Sequence, residues 1–207
     1  MLVVGLTGGI ATGKTTAARM LAERGATVLD ADALVYELQA PGTDVHRAIL
    51  AAFGREILAP DGTLDRGKLG ARAFADPAAR RVLEAIVHPA LTAEIARRVE
   101  ALRRGGQTWL CVLEAALLVE EGPQGIVDRV VVVTAPEVEQ VARLRAKGSL
   151  SEEEAWRRVR AQLPSAVKAR HADHVLVNDR DLASLARQVA ALAEVLLREA
   201  GAGQKTP

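Results

Sequence analysis

Short runs of apolar, mostly β-branched residues recur along the chain. They are continuous rather than alternating with polar residues, which is typical of strands buried on both faces of a parallel sheet. Five such runs predict strands at residues 2–6, 27–29, 109–113, 129–134 and 174–177.

Helical patterns separate these runs. Residues 14–24 place Ala18 and Leu21 on one face, and Gly25 follows as a helix C-cap would. Residues 181–200 form a final amphipathic pattern, with leucines spaced three or four apart. The alternation of strands and helices predicts a doubly wound α/β fold with a five-stranded parallel sheet and right-handed crossovers.

Two intervals are not simple crossovers. Residues 33–107 contain helical patterns broken by turn signals and no convincing strand, which predicts a helical insert. Residues 143–170 are rich in arginine, and Ser151 with Glu154 makes a capping box for a helix that runs to about Leu163. We therefore predict an α/β core at 1–32, 108–142 and 171–200, a helical insert at 33–107, a basic helical segment at 143–170 and a flexible tail at 201–207.

Composition narrows the possible partners. The 207 residues carry 27 basic and 26 acidic side chains, and aromatic residues make up 2%. This balance disfavours a polybasic binder of nucleic acid or membranes, and few aromatics are available to stack on bases. Apolar runs are too short to span a bilayer, and Cys111 is the only cysteine. We expect a cytoplasmic protein that binds neither nucleic acid nor membrane.

The clearest motif is GGIATGKT at residues 8–15, which fits G-x-x-x-x-G-K-[ST] between a predicted strand and a predicted helix. Glycines let backbone N–H groups turn towards a phosphate, and the helix N-terminus adds a positive dipole. Lys14 can reach the β- and γ-phosphates, and the Thr15 hydroxyl can bind Mg²⁺. The alternative is a glycine-rich turn that matches by accident. The predicted nucleotide-binding residues of this segment are Gly8, Gly9, Ala11, Thr12, Gly13, Lys14, Thr15 and Thr16.

Other features indicate which class of nucleotide-binding protein this is. The chain has no N-K-x-D motif of a GTPase, and it is short for a helicase or a transporter ATPase. A small kinase remains, which needs a base for the acceptor hydroxyl and cations around the transferred phosphoryl group.

Candidates for the base follow the second predicted strand, in Asp30-Ala31-Asp32. Ligands bind at the carboxyl ends of strands in such sheets, so Asp32 can orient an acceptor hydroxyl and take its proton. The alternative is that Asp32 caps a helix at residues 33–38. Asp30 is a candidate for a cap or a supporting residue.

Glu114 closes the third predicted strand and can hold a Mg²⁺-bound water, although Glu120 and Glu121 lie close by in sequence. Among the basic residues of 143–170, Arg143 is the first candidate for a phosphate contact. Most of its neighbours can equally form a solvated face paired with glutamates. His88, before Pro89, is either structural or on the substrate side.

The ordered set of motifs resembles the dephospho-coenzyme A kinase family from about residue 2 to residue 192. The matching pieces are the loop, DAD at 30–32, FG at 53–54, DGTLDR at 61–66, LE at 83–84, HP at 88–89, LL at 117–118, AP at 135–136, RL at 143–144, LSEE at 150–153, Gln162, AD at 172–173 and Asn178. The loop alone is generic, whereas the HP pair together with the insert pattern is specific.

The resemblance implies transfer of the γ-phosphoryl group of ATP, with Mg²⁺, to the ribose 3′-hydroxyl of dephospho-CoA. It also implies a nucleotide-binding core at 1–32, 108–142 and 171–200, a CoA-binding insert at 33–107 and a lid at 143–170. It assigns Asp32 as catalytic base, keeps Lys14 and Thr15 in their phosphate and metal roles, and places Arg143 in or beside the lid, so Lys14 and Arg143 are expected to serve catalysis. Glu114 is the further candidate for the metal, from its position at the end of the third strand. His88 and Leu117 fall on the substrate side, together with Asp32, and Asn178 falls on the nucleotide side. We expect a monomer or weak homo-oligomer. Another metabolite kinase, or a regulatory module that binds ATP without catalysis, is the alternative.

The chain departs from the family pattern at several positions. Ala11 and Glu114 replace a usual glycine and aspartate, and Ala116 replaces a usual proline. Lys147 stands where an arginine is common, and a lysine cannot make the bidentate contact of a guanidinium. Ala11 is tolerable only if its backbone φ is not positive.

Overall fold

A computed structural model describes residues 1–116, 125–148 and 150–202. Its five strands are β1 (Leu2–Gly8), β2 (Thr27–Asp30), β3 (Leu110–Glu114), β4 (Arg129–Thr134) and β5 (His174–Val177). They form one parallel sheet in the order β2-β3-β1-β4-β5. The predicted strands and the α/β class are confirmed. β1 is longer than predicted because Gly8 still pairs with Val133 in β4.

The sheet register brings the ends of β1 and β3 together. Leu6 of β1 pairs with Glu114, the last residue of β3. Because the strands are parallel, the loop after β1 and the Glu114 carboxylate lie at the same edge. This is the edge at which open α/β sheets bind ligands.

The helices account for most of the remaining described chain. They are α1 (Lys14–Ala22), α2 (Ala31–Leu38), α3 (Asp44–Phe53), α4 (Arg66–Ala75), α5 (Pro77–Gly105), α6 (Glu137–Lys147), α7 (Glu152–Arg160), α8 (Ser165–Ala169) and α9 (Leu182–Ala202), with a 3-10 helix at Arg55–Ile57. The main core joins Leu21 of α1 and Val189 and Leu196 of α9 to the sheet residues Val4 and Val133. Burying each of these side chains contributes about 1.5–3 kcal/mol.

Two compact units divide the chain, residues 1–29 with 99–207 and residues 30–98. The second unit has its own helical core, which includes Ile49, Phe53 and Ile57. Arg98 of α5 pairs with Glu37 of α2. Arg97 and Arg98 both bond to the Glu94 carboxylate, and together they lower its pKa to about 2. The predicted bounds of core, insert and lid stay predictions.

The capping box at the start of α7 is confirmed. The Ser151 hydroxyl accepts from the Glu154 N–H, and the Glu154 carboxylate accepts from the Ser151 N–H. The helix ends at Arg160 rather than near Leu163, because Pro164 introduces the separate short helix α8. The last helix continues to Ala202, two residues beyond the predicted end, and 203–207 lie outside the described residues.

Cys111 lies in the centre of β3 and is fully buried. Burial raises the pKa of its thiol to about 11, so the thiol is protonated at neutral pH and is a packing residue. Within the described part of the chain, no helix is both long and apolar enough to cross a membrane.

Candidate active site

The loop from β1 to α1 depends on two glycines at its ends. A Cβ on Gly8 would lie 2.2 Å from the Val133 carbonyl oxygen, so this position needs the close approach of bare backbone. Gly13 has a φ of 102° and is the N-cap of α1. A Cβ there would lie 2.4 Å from Asn178 Nδ2. Gly8 is therefore required by the close approach of a neighbouring backbone, and Gly13 by its own backbone conformation.

Lys14 folds back over the loop that precedes it. Its Nζ donates to the carbonyl oxygens of Gly8 and Gly9, each at 3.0 Å. The ammonium group is thereby held beside the loop backbone at the N-terminus of α1, where a helix attracts anions. A phosphate in the loop would meet this cation without a large movement of the side chain.

Thr15 and Glu114 meet at the same edge of the sheet. The Thr15 hydroxyl donates to Glu114 Oε1 at 2.7 Å, although the residues are far apart in sequence. Glu114 is 9% exposed, and Thr15 is exposed at the second position of α1. One hydroxyl and one carboxylate are hard oxygen donors of the kind Mg²⁺ takes from a protein, the rest coming from water and phosphate. Among the described residues no cluster of three or more His, Cys, Asp or Glu could hold a metal by itself.

Arg143 and Asn178 both lie against the loop. Asn178 Nδ2 donates to the Thr12 carbonyl oxygen at 2.8 Å. Arg143 donates to the carbonyl oxygens of Ala11 at 3.4 Å and Asn178 at 3.0 Å, with the Glu139 carboxylate 3.8 Å away. The structure thus brings these two predicted residues to the loop, where both contact its backbone.

Thr12 and Thr16 differ in what their side chains do. Thr12 is fully buried, and its hydroxyl donates to the Gly9 carbonyl oxygen at 2.9 Å. This hydrogen bond lies within the loop and stabilises its conformation. Thr16 is half-buried in the first turn of α1, next to Thr15.

Ala11 has a φ of 58°, which lies in the left-handed region. The sequence analysis expected alanine to be tolerated here only if the backbone φ was not positive. The position does need a positive φ, so the replacement of glycine stores strain in the loop. An L-residue in this region costs about 1–2 kcal/mol.

We expect Ala11→Gly to raise the free energy of unfolding by about 1 kcal/mol, because it removes that strain at the expense of a freer unfolded chain. Urea unfolding of both proteins measures this difference. Ala40→Gly, in a described residue whose φ is not positive, serves as the control and should be destabilising or neutral. A lower stability of Ala11→Gly would contradict the argument from strain.

Asp30, and not Asp32, caps the helix after β2. The Asp30 carboxylate accepts from the N–H groups of Asp32 at 2.9 Å and Ala33 at 3.1 Å. α2 begins at Ala31, two residues earlier than the pattern predicts, so the interpretation of Asp32 as N-cap is wrong. Asp32 is exposed in the first turn, and no described side chain is placed to bond its carboxylate.

Other predicted residues are placed only in part. His88 is half-buried on α5, directly before Pro89, which lies inside that helix. Leu117, Glu120 and Glu121 lie outside the described residues.

Several of the basic residues of 143–170 bind glutamates or aromatic rings on the surface. Arg145 pairs with Glu152 at 3.1 Å, and Arg157 with Glu154 at 3.9 Å. The Arg160 guanidinium lies over the Trp156 ring, 4.8 Å from its centroid. These contacts agree with the solvated-face interpretation, and exposed pairs of this kind contribute about 0–1 kcal/mol.

Two residues at the site were not predicted as site residues, although Gln162 is one of the positions that match the family pattern. Gln162 Oε1 accepts from the Ile10 N–H in the loop at 2.7 Å. Lys168 is fully buried, and its Nζ donates to the Ala116 carbonyl oxygen at 2.8 Å. The signal for Lys168 was its rarity, because the chain has only five lysines. The spacing of residues in the sequence could not predict either contact, because each joins distant parts of the chain.

Comparisons with known proteins agree on one family. The family model described as dephospho-CoA kinase matches residues 2–184. A dephospho-CoA kinase of Symbiobacterium thermophilum is 50% identical over 191 residues, which are 92% of this chain and 80% of that protein. The Geobacter metallireducens enzyme of the same name is 47% identical over 192 residues, which cover 93% and 95% of the two chains.

Solved structures share the fold of this chain. A crystal structure from Thermus thermophilus has a TM-score of 0.77 at 35% identity and covers 94% of this chain and 97% of its own. A Campylobacter jejuni dephospho-CoA kinase has a TM-score of 0.71 at 22% identity, covers 95% and 98% of the two chains, and shows the shared fold.

Proposed function

The chain belongs to the dephospho-CoA kinase family, and on this premise we propose that it transfers the γ-phosphoryl group of ATP to the ribose 3′-hydroxyl of dephospho-CoA. The products are ADP and coenzyme A, so the reaction is the last step of coenzyme A synthesis. The observation that carries the proposal is the contact between Thr15 and Glu114 at the mouth of a phosphate loop that holds Lys14.

The loop and Lys14 bind the phosphates of ATP. Backbone N–H groups at the N-terminus of α1 face the anion, and the Lys14 ammonium neutralises charge on the β- and γ-phosphates. Arg143, which already lies beside Ala11, is proposed to stabilise the phosphoryl group in transfer. Asn178 holds the Thr12 carbonyl and so keeps the loop in shape on the nucleotide side.

Thr15 and Glu114 are the residues that would hold Mg²⁺, through the hydroxyl and the carboxylate. Bound there, Mg²⁺ would supply neutralisation of the phosphate charge. The replacement of the family's usual aspartate by Glu114 keeps a carboxylate within reach of Thr15, so the departure preserves the donor set.

Asp32 is proposed as the base for the acceptor hydroxyl. Its carboxylate is exposed, and Asp30 supplies the helix cap in its place. Asp32 follows β2 by two residues, at the end of the strand from which ligands are bound in this fold. We propose that His88 and Leu117 bind dephospho-CoA beyond the reacting hydroxyl, by the resemblance of their motifs.

ADP release in the presence and absence of dephospho-CoA tests the function directly. We expect ADP to form only when both ATP and dephospho-CoA are present, and the product to carry its new phosphate at the 3′ position. A panel of nucleosides and small hydroxylated metabolites is the comparison. Preference for one of those acceptors, or ATP binding with no transfer, would contradict the proposal.

We expect Glu114→Gln to raise the Mg²⁺ concentration needed for half-maximal activity by about 10–100-fold, because the neutral amide attracts the cation less. A Mg²⁺ titration at fixed ATP measures this change. Glu153→Gln, on the exposed face of α7, is the matched control and should leave the titration unchanged. An unaltered Mg²⁺ requirement in Glu114→Gln would remove this residue from the metal site.

Location and assembly stay predictions. We expect the enzyme in the cytoplasm, as a monomer or a weak homo-oligomer. Light scattering over a range of protein concentrations measures the mass, which is 21.9 kDa for one chain.

A further inference from the structure

We propose that Gln162 and Lys168 are positioning residues, which together hold the phosphate loop and the end of β3 in the alignment that phosphoryl transfer needs. The two residues stand at either end of a short segment, residues 162–168, named here the clamp segment. The inference rests on the proposed function and adds a role that the loop motif and the acids do not supply.

Gln162 holds the loop at its second variable position. The Ile10 N–H donates to Gln162 Oε1 at 2.7 Å, which gives this loop amide a partner outside the loop. The Ile10 side chain packs on the cluster of Val141, Ala155 and Val159 between α6 and α7. Ile10 is therefore held by its backbone to the clamp segment and by its side chain to the two helices that precede that segment.

Lys168 holds the end of β3. Its Nζ donates to the Ala116 carbonyl oxygen at 2.8 Å, and the Thr7 hydroxyl donates to the same oxygen at 3.2 Å. The Ala115 N–H continues the strand pairing by donating to the Leu6 carbonyl oxygen at 3.0 Å. The position of the chain directly after Glu114 is thus defined by Lys168 and by two residues of β1.

The complete burial of Lys168 bears on why this position is a lysine. The side chain is 0% exposed, and an ammonium group in such a place is costly unless polar partners offset the loss of water. An apolar side chain would serve packing alone better, since replacing buried charges by well-packed apolar residues is often neutral or stabilising. The polar contact to the end of β3 is one that a lysine makes and an apolar residue could not.

One short segment carries both contacts. The N–H groups of Val167 and Lys168 both donate to the Pro164 carbonyl oxygen, at 2.9 Å and 3.1 Å, which fixes residues 164–168. The Gln162 N–H donates to the Val159 carbonyl oxygen at 3.4 Å, which ties the start of the segment to the end of α7. The loop amide of Ile10 and the strand end that carries Glu114 are therefore linked through the clamp segment, in addition to their link through the sheet.

Alignment of this kind matters for phosphoryl transfer. The loop and Lys14 are proposed to hold the phosphates, and Thr15 and Glu114 are the residues that would hold Mg²⁺, so the two sets must keep their spacing. A misplacement of about 1 Å can reduce the rate by about 10²-fold even when the altered residue is far from the chemistry. The expected effect of losing the clamp is therefore on kcat and on the Mg²⁺ requirement.

The experiment compares Gln162→Leu, Lys168→Met and Lys168→Arg with the unchanged chain, with Lys68→Met and Gln107→Leu as controls at exposed positions. We measure kcat, the KM for both substrates, the Mg²⁺ concentration for half-maximal activity and the melting temperature. Binding of a fluorescent ATP analogue with and without Mg²⁺ is followed in parallel, because it needs no acceptor.

We expect Gln162→Leu and Lys168→Met to lower kcat by at least tenfold at a temperature well below their melting points, with the KM for dephospho-CoA within twofold. Lys168→Met should also reduce at least fivefold the gain in nucleotide affinity that Mg²⁺ provides. Lys168→Arg, which keeps a donor, should recover most of that gain, and the controls should match the unchanged chain. The double variant should lose less than the product of the two single losses, since both residues act through one segment.

A lower melting temperature with unchanged kcat and Mg²⁺ response would make both residues merely structural and would overturn the proposal. Independent, multiplicative losses in the double variant would overturn the linkage between them. If Lys168→Met does not fold, the kcat and Mg²⁺ response of Gln162→Leu and Lys168→Arg still test the proposal. If the unchanged chain fails to phosphorylate dephospho-CoA, the proposed function fails, whereas the Mg²⁺-dependent nucleotide binding still tests the clamp.

Discussion

Replacing Asp32 by asparagine is expected to lower kcat by about 10²–10⁴-fold, the usual contribution of a general base. The amide cannot accept the proton of the acceptor hydroxyl, although it keeps the size of the carboxyl group. ATP affinity should be unchanged, since the loop and Lys14 supply the phosphate contacts. Stability should also be unchanged, because Asp32 is exposed and Asp30 provides the cap of α2.

Steady-state ADP formation with dephospho-CoA, together with equilibrium binding of ATP, measures both parts of this expectation. Asp30→Asn is the matched control, because it makes the same chemical change two residues away and asparagine is itself a good N-cap. Full activity in Asp32→Asn would remove this residue as the base. An equal loss in both variants would assign the effect to the local structure of the β2–α2 connection.

Replacing Gly13 by alanine is expected to abolish high-affinity ATP binding and to destabilise the protein by about 2–4 kcal/mol. The φ of 102° is unfavourable for any residue with a Cβ and costs about 1–3 kcal/mol by itself. The added methyl group would also lie 2.4 Å from Asn178 Nδ2, which must then release the Thr12 carbonyl oxygen. The loop and the start of α1 would both be displaced.

Nucleotide binding by calorimetry and unfolding in urea measure these two losses. Gly42→Ala is the control, since its φ of 88° carries a similar conformational cost and no atom lies within 4 Å of the added Cβ. The difference in stability between the two variants isolates the contact with Asn178. Equal destabilisation, with ATP binding retained in Gly13→Ala, would show that this contact does not shape the loop.

Patterns within short stretches of sequence predicted the fold well. The inner strands β1, β3 and β4 were found because a largely buried strand needs a continuous apolar run, which is easy to separate from an amphipathic helix. The edge strands β2 and β5 are more exposed, as Val175 and Val177 of β5 are, and their short β-branched runs identified them. The capping box of α7 was found because its two residues lie three apart and bond to each other. The loop motif likewise predicts its own geometry, since Gly13 and Lys14 act through backbone next to them.

The ends of helices were predicted less accurately than the strands, and the connection from β2 to α2 shows the physical reason. Asp30 and Asp32 are both suitable N-cap residues. The helix begins directly after the aspartate at which β2 ends. The structure selects Asp30, and that choice leaves Asp32 without a capping role. The sequence favoured Asp32 as the base and named Asp30 as a candidate cap, but it left open that Asp32 caps the helix, and the backbone at the end of β2 decides that point.

The sequence by itself therefore determined the sheet, the phosphate loop and the chemical class of the site, because each follows from residues close together in the chain. Only the tertiary structure decided which distant side chains serve that loop. The contacts of Thr15 with Glu114, Ile10 with Gln162 and Lys168 with Ala116 depend on strand order and on how helices return to the sheet. No periodicity or spacing encodes those pairings, since the free energy that selects them comes from packing of the whole core.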